Sequence, residues 1–145
     1  MSVAELLKKK REQLEQANKE EGATFLTLFT QREGVMVLPS GIAYEIEKLG
    51  QGEKATLGDT ISCHYTGTNV KGEVFDSSLE RGQPSTFALS KLIKAYQEVV
   101  PLLPMGTTFR LVTPPAYAYK DEHISKFIGP YSTLIFDIEL IAIVK

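Results

Sequence analysis

Between Val3 and Arg32 the chain has no proline and almost no β-branched run. Its first apolar positions, Val3, Leu6, Leu7, Leu14 and Ala17, form the thin stripe of a helix with most of its surface in solvent. Ser2-Val3-Ala4-Glu5 reads as a capping box that opens the helix near Val3. Glu5 with Lys9, and Glu15 with Lys19, are favourable pairs one turn apart. The pattern predicts one long helix, and Gly22 is its expected point of weakness or bending. Beyond Gly22, Phe25, Leu26, Leu28 and Phe29 are dense enough to dock on the rest of the chain or on a second copy. The opposite face carries both charge signs, unlike the basic face of a helix that lies on a membrane.

After Gly34 the rhythm changes from helical spacing to alternation. Pro39-Ser40-Gly41 is a turn, and Ile42, Tyr44 and Ile46 then alternate with Ala43, Glu45 and Glu47, as in a strand with one buried face. Ile61, Cys63 and Tyr65 repeat this against Ser62, His64 and Thr66, as do Phe109 and Leu111 against Arg110 and Val112. In the last stretch Leu134, Phe136, Ile138 and Leu140 share one face, with Asp137 and Glu139 on the other. Four or five antiparallel strands are expected. Leu92, Ile93, Tyr96, Val99, Val100 and Leu103 return to helical spacing, which predicts one short helix packed on the concave side of the sheet. The fold class is α+β, divided into a helical extension over residues 1–33 and a domain over residues 34–145. There is no internal repeat and no low-complexity segment.

Composition narrows the function. A chain of 145 residues, 43% hydrophobic, fills one ordinary domain. A net charge of −2 gives no footprint for nucleic acid or an anionic membrane. Cys63 is the single cysteine, so no internal disulfide forms and a reducing compartment is the simpler expectation. The first ten residues lack the apolar core of a signal peptide. The chain as written therefore reads as cytoplasmic, with a trimmed exported precursor as the open alternative. His64 and His123 stand far apart with no partner at ligand spacing, so no metal is expected, and no organic cofactor motif is present. Ser77-Ser78 lacks the setting of a hydrolase nucleophile. Cys63 and His64 point to opposite faces of their strand, which disfavours a catalytic pair.

What remains is a scattered aromatic and polar set, whose runs are Leu38-Pro39-Ser40-Gly41, His64-Tyr65-Thr66-Gly67, Val74-Phe75-Asp76-Ser77, Pro114-Pro115, Ala118-Tyr119, Ile128-Gly129-Pro130 and Thr133-Leu134-Ile135-Phe136-Asp137. In this order and spacing the stretch from about Asn18 to Lys145 resembles the FKBP-type peptidyl-prolyl isomerases. It is most similar to the bacterial group that includes the macrophage infectivity potentiator, in which a long helix precedes the isomerase domain. The resemblance implies an antiparallel half-barrel sheet wrapped around one short helix, with a ligand cavity between them. By position in these motifs, Tyr65, Phe75, Leu92, Ile93, Tyr96, Ile128 and Phe136 would form the apolar wall around a prolyl ring, with Tyr96 as floor. Asp76 would accept near the twisted amide, Tyr119 would donate to a substrate carbonyl, and Arg81 with the Tyr65 hydroxyl would steady Asp76 in its ionised form.

The chemistry needs no nucleophile. Rotation about an X-Pro bond is slowed by amide resonance, with a barrier of about 18–20 kcal/mol. Twisting the amide reduces its charge separation, so an apolar, water-poor pocket favours the transition state over the planar ground state. Three positions depart from the family's pattern. Tyr96 stands where Trp is commoner and brings a hydroxyl that needs a partner when buried. Lys120 replaces a usual Gly, which puts the path of residues 121–127 in doubt. Tyr131 adds bulk at the rim. These changes keep open a second reading, a non-catalytic proline-binding or chaperone module on the same fold. Taken singly, the aromatic residues also fit simple core packing, and Asp76 with Arg81 fits a surface ion pair.

The expected partners are proline-containing polypeptides, with a rapamycin-like macrolide as pocket ligand by resemblance. The similar group dimerises through material preceding its long helix. Little of that material is present here, which favours a monomer over a homodimer formed by the N-terminal helix.

Overall fold

The computed structural model describes residues 2–145. Helix α1 runs over Val3–Thr30, and the Ser2 hydroxyl accepts from the Glu5 N–H at 3.2 Å, which is the hydroxyl half of the expected capping box. The strands are β1 (Val35–Val37), β2 (Ala43–Lys48), β3 (Thr60–Thr68), β4 (Val74–Ser77), β5 (Ser85–Ala88), β6 (Thr108–Thr113) and β7 (Leu134–Val144), with short helices α2 (Ser78–Arg81) and α3 (Lys94–Val99) between them. The α+β architecture is as expected, but it carries seven strands and not four or five. The additional ones are β1, β4 and β5, each three or four residues long. In segments so short, alternation cannot be told from a turn.

All pairings are antiparallel, in the order β1-β2-β6-β7-β3-β4, with β5 also on β3. One edge of β3 is paired with β7 along its whole length. The other edge is shared, with β5 opposite Thr60–Cys63 and β4 opposite Thr66–Thr68. His64 and Tyr65 face the gap between them. There the Ser78 hydroxyl accepts from the Tyr65 N–H at 2.8 Å, so a side chain at the start of α2 supplies the bond that no strand provides.

The concave face holds the main core, in which Ile42, Ile61, Cys63, Leu89, Phe109, Leu111, Ile138 and Leu140 are buried against Val99 and Val100 of the α3 region. Helix α3 is shorter than the apolar spacing predicts. Leu92 and Ile93 are extended before it, and a 3-10 turn over Val100–Leu102 follows, where Pro101 has no N–H to continue the α ladder. The Gln97 side chain donates to the Leu92 carbonyl at 2.7 Å and fixes this approach.

The other face of the sheet is buried only at one end. Ala43, Val112 and Ile135 lie under Phe29, with Phe25 and Leu26 packed alongside. Farther along, the same rows become charged, with Arg110 paired to Asp137 at 2.8 Å and Arg32 to Glu45 at 3.1 Å. Helix α1 thus docks on its own sheet through Phe25, Leu26 and Phe29, while Leu28 stays 62% exposed. Gly22 is buried within a helix that continues unbroken through it. A Cβ on Gly22 would stand 2.2 Å from the Thr133 hydroxyl, and glycine is there for that close approach. No described helix is long and apolar enough to cross a membrane.

Candidate active site

Strand β3 ends beside β4, and the two deliver Tyr65 and Asp76 to one rim of a cavity of about 230 Å³ between the sheet and α3. Phe75 on β4, Phe136 on β7 and Tyr96 on α3 make its apolar wall. The Phe75 and Phe136 rings meet edge-on with centroids 5.7 Å apart, and Tyr96 meets Phe136 edge-on at 5.1 Å. Gly67 makes this possible, because a Cβ there would lie 2.5 Å from the Phe75 ring and 3.0 Å from that of Phe136. Leu92 and Ile93, just before α3, and Tyr119 also line it.

Of the residues picked out in the sequence, Tyr65, Phe75, Asp76, Leu92, Ile93, Tyr96, Tyr119 and Phe136 converge on this cavity. Arg81 stands behind the rim and reaches it through Asp76. Ile128 is not one of the residues that line the cavity; it is 4% exposed and packed in the same core cluster as Tyr65, Tyr96 and Phe136, with its N–H bonded to the Ser125 carbonyl at 3.2 Å. Two lining residues carried too little signal to be found. Phe87 tilts against Tyr65 at 5.6 Å from a strand of only four residues, and Lys91 sits in a single 3-10 turn.

The polar rim is one connected network. The Tyr65 hydroxyl donates to Asp76 Oδ2, and Arg81 Nη1 donates to Asp76 Oδ1. Arg81 Nη2 also donates to the Tyr65 hydroxyl at 3.1 Å and to Ser85 Oγ at 2.9 Å. Partial burial opposes ionisation of Asp76, but the hydrogen bonds from Tyr65 and Arg81 outweigh it and hold the carboxyl below its ordinary value of 3.8. Burial, reinforced by the bond to Asp76, pushes the Tyr65 hydroxyl up. Arg81 is delivered by α2, whose first turn is capped by Ser77 and whose end is turned by Gly82 at φ 80°.

On the floor, burial pushes Tyr96 well above the ordinary tyrosine range, so its hydroxyl stays protonated. That hydroxyl bonds no described residue, yet no described buried polar side-chain atom lacks a partner, so it retains contact with the cavity space. Tyr119 is also raised by burial and remains a donor at neutral pH. Lys120 occupies the left-handed region at φ 55°, so the position read as a lost glycine keeps the glycine-like backbone. An L-residue there costs about 1–2 kcal/mol, and the Lys120 N–H to Pro115 carbonyl bond of 2.9 Å and the Tyr131 N–H to Lys120 carbonyl bond of 2.7 Å hold it in place.

A larger hollow of about 440 Å³ beside α1 is lined by Phe25, Leu28 and Val70 with charged residues around them. It brings together neither a ring cluster nor a polar network, and the smaller cavity is the one with chemistry.

The family model for the FKBP-type peptidyl-prolyl cis-trans isomerase matches residues 51–141. This chain belongs to that family. A second model, the domain amino terminal to FKBP-type peptidyl-prolyl isomerase, matches residues 1–46. The chain is 39% identical over 143 residues to the FKBP-type isomerase FkpA of Aeromonas hydrophila, covering 99% of this chain and 53% of the relative. It is 41% identical over 128 residues to the outer membrane protein MIP of Legionella longbeachae, covering 88% and 55%. Among solved structures, FkpA from Escherichia coli superposes with a TM-score of 0.89 at 32% identity, over 94% of this chain and 63% of that one. A peptidyl-prolyl isomerase from Pseudomonas syringae pv. tomato gives 0.82 at 31% identity, over 90% and 96%. The chain thus spans about half the length of the curated relatives it matches. One of those relatives is an outer membrane protein by name, and the cytoplasmic expectation finds no support among them.

Proposed function

We propose that this FKBP-family chain is a peptidyl-prolyl cis-trans isomerase acting on exposed X-Pro bonds of polypeptides, without a covalent intermediate and with its catalytic apparatus in residues 34–145. The observation that carries the reading is the pairing of a ring-lined cavity with an ionised Asp76 held by Tyr65 and Arg81 on its rim. The prolyl ring enters between Phe75, Tyr96 and Phe136. Water is excluded from the amide, and the less charge-separated twisted state is favoured. The Tyr119 hydroxyl, which no described residue engages, donates to the substrate carbonyl and orients the peptide. Asp76 accepts near the rotating amide, while Arg81 and Tyr65 keep it ionised and fixed. An X-Pro rotation needs no proton removed, so Asp76 serves as a hydrogen-bond acceptor and not as a general base.

A rapamycin-like macrolide is the proposed small-molecule ligand of the same cavity, on the strength of the family resemblance.

The test is relaxation of short X-Pro peptides after a jump in cis content. Acceleration by the native chain, lost in Asp76→Ala, supports the isomerase. Macrolide binding with no acceleration would leave a binding module, a reading whose specific support is the hydroxyl that Tyr96 places on the floor.

A further inference from the structure

One face of α1 is built for the loop that follows Tyr119. Arg11 Nη2 donates to the Asp121 carbonyl at 3.3 Å, and Asn18 Nδ2 donates to the Pro130 carbonyl at 2.8 Å. The Lys19 ammonium lies 4.1 Å above the Tyr131 ring. Gly22 lets Thr133 approach the helix, and Gly129 does the same toward Asn18, which a Cβ there would meet at 2.9 Å. Residues 11, 18 and 22 recur at helical spacing and continue into Phe25 and Phe29, which dock on the sheet. The helix therefore has one working face, apolar where it meets the sheet and polar where it meets the loop.

The route from this face to the cavity is short. Pro130 precedes Tyr131, whose N–H donates to the Lys120 carbonyl at 2.7 Å, and Lys120 follows Tyr119. Lys120 and Tyr131 both hold left-handed backbones, at φ 55° and 56°. Two such residues persist together only where their surroundings over-determine them. We infer that α1 is a positioning strut for Tyr119, with Asn18 and Lys19 as the residues that fix the Lys120–Tyr131 clasp and thereby the donor that lines the pocket. The inference rests on the isomerase reading for its kinetic consequence but not for its structural one.

The experiment compares the native chain, Asn18→Ala/Lys19→Ala, Tyr119→Phe and the combination. The helix pair is expected to lower kcat/KM about three- to tenfold, the size of a misplaced positioning group. On the Tyr119→Phe background the same pair is expected to cost almost nothing, since both changes then act on one contact. Amide exchange at Tyr131 should accelerate and the Tyr119 ring resonances should shift, while exchange at Ile138 stays unchanged and reports an intact core. An equal loss with and without the Tyr119 hydroxyl would overturn the proposal, as would unchanged Tyr131 exchange with unmoved Tyr119 resonances. If the Ile138 amide is also deprotected, Arg11→Ala, which removes the contact with the Asp121 carbonyl and the exposed pair with Glu15, decides the same readouts. If the native chain accelerates no X-Pro peptide, the isomerase reading falls, and the strut is decided by the exchange and resonance measurements alone.

Discussion

Tyr96 lines the cavity as a buried ring whose hydroxyl bonds no described residue, so its size and polarity bear on how dry that space is. Enlarging the ring and removing the hydroxyl in Tyr96→Trp is expected to raise kcat/KM several-fold, about the effect of 1 kcal/mol on the barrier, as measured by relaxation of X-Pro peptides. Asp76 makes a different prediction. Its carboxyl titrates below the ordinary value in the folded chain, so ionisation favours the fold. This contribution is complete above the unfolded value and disappears as pH falls through the folded one. Because 41% of the side chain is exposed, the effect on stability is small, and the clearer signal is activity. Turnover should be flat from about pH 8 to about pH 5, with its acid limb displaced below the ordinary carboxylate value of 3.8 and no such limb in the residual activity of Asp76→Ala. Cys63, its thiol pushed up to about 11 by burial, should resist alkylation at pH 8 until the chain is unfolded. At this scale the sequence was most readable where runs of neighbours carry the signal, as in Tyr65, Phe75 with Asp76, and Phe136. It was silent at Phe87 and Lys91, which enter the cavity from elements of three or four residues. Ile128, expected in the apolar wall, is buried in the core and is not one of the lining residues.

Among the α-helices, α2 is the shortest and the most exacting. Its first residue supplies the hydroxyl that the Tyr65 amide needs, and its last supplies the guanidinium that Asp76 needs. Ser78→Ala should leave that amide unpaired and lower stability by about 1–3 kcal/mol. Denaturant unfolding should report this together with a loss of activity, and an unchanged midpoint would mean the gap in the sheet tolerates solvent. The long helix was legible from its spacing and cap, and so were the four longest strands, because each buries a continuous row. What spacing could not reveal is that the sheet is buried on both faces at one end. Ala43 and Val112 fall on rows read as outward, and only the arrival of Phe29 makes them core. The reading of Gly22 as a point of weakness missed its contact for a related reason, since a glycine serving close approach looks the same in sequence as one serving flexibility.

For the molecule as a whole, α1 completes a second core. Starting the chain at Gly34 would uncover Ala43, Val112 and Ile135 together, and Phe29→Ala would hollow out the same cluster. The point variant is expected to cost about 3 kcal/mol, at the low end for a buried Phe, and the truncation more than that. Matching midpoints for the truncated and full chains in denaturant would show instead that residues 34–145 need nothing from the helix. Self-association of the truncated chain through its uncovered face would raise its sedimenting mass above that of the full chain. The shared edge of β3 has a wider consequence. Everything from β4 to β5 departs from that edge and returns to it, and pairs with neither β7 nor the strands beyond. The acid, its guanidinium and one wall of the cavity therefore travel as a single exchangeable cassette, whose hydrogen bonds to the frame all run to β3, the Ser78 bond to the Tyr65 amide among them. Swapping that excursion between relatives is a route to new ligand preference in which the scaffold need not be redesigned.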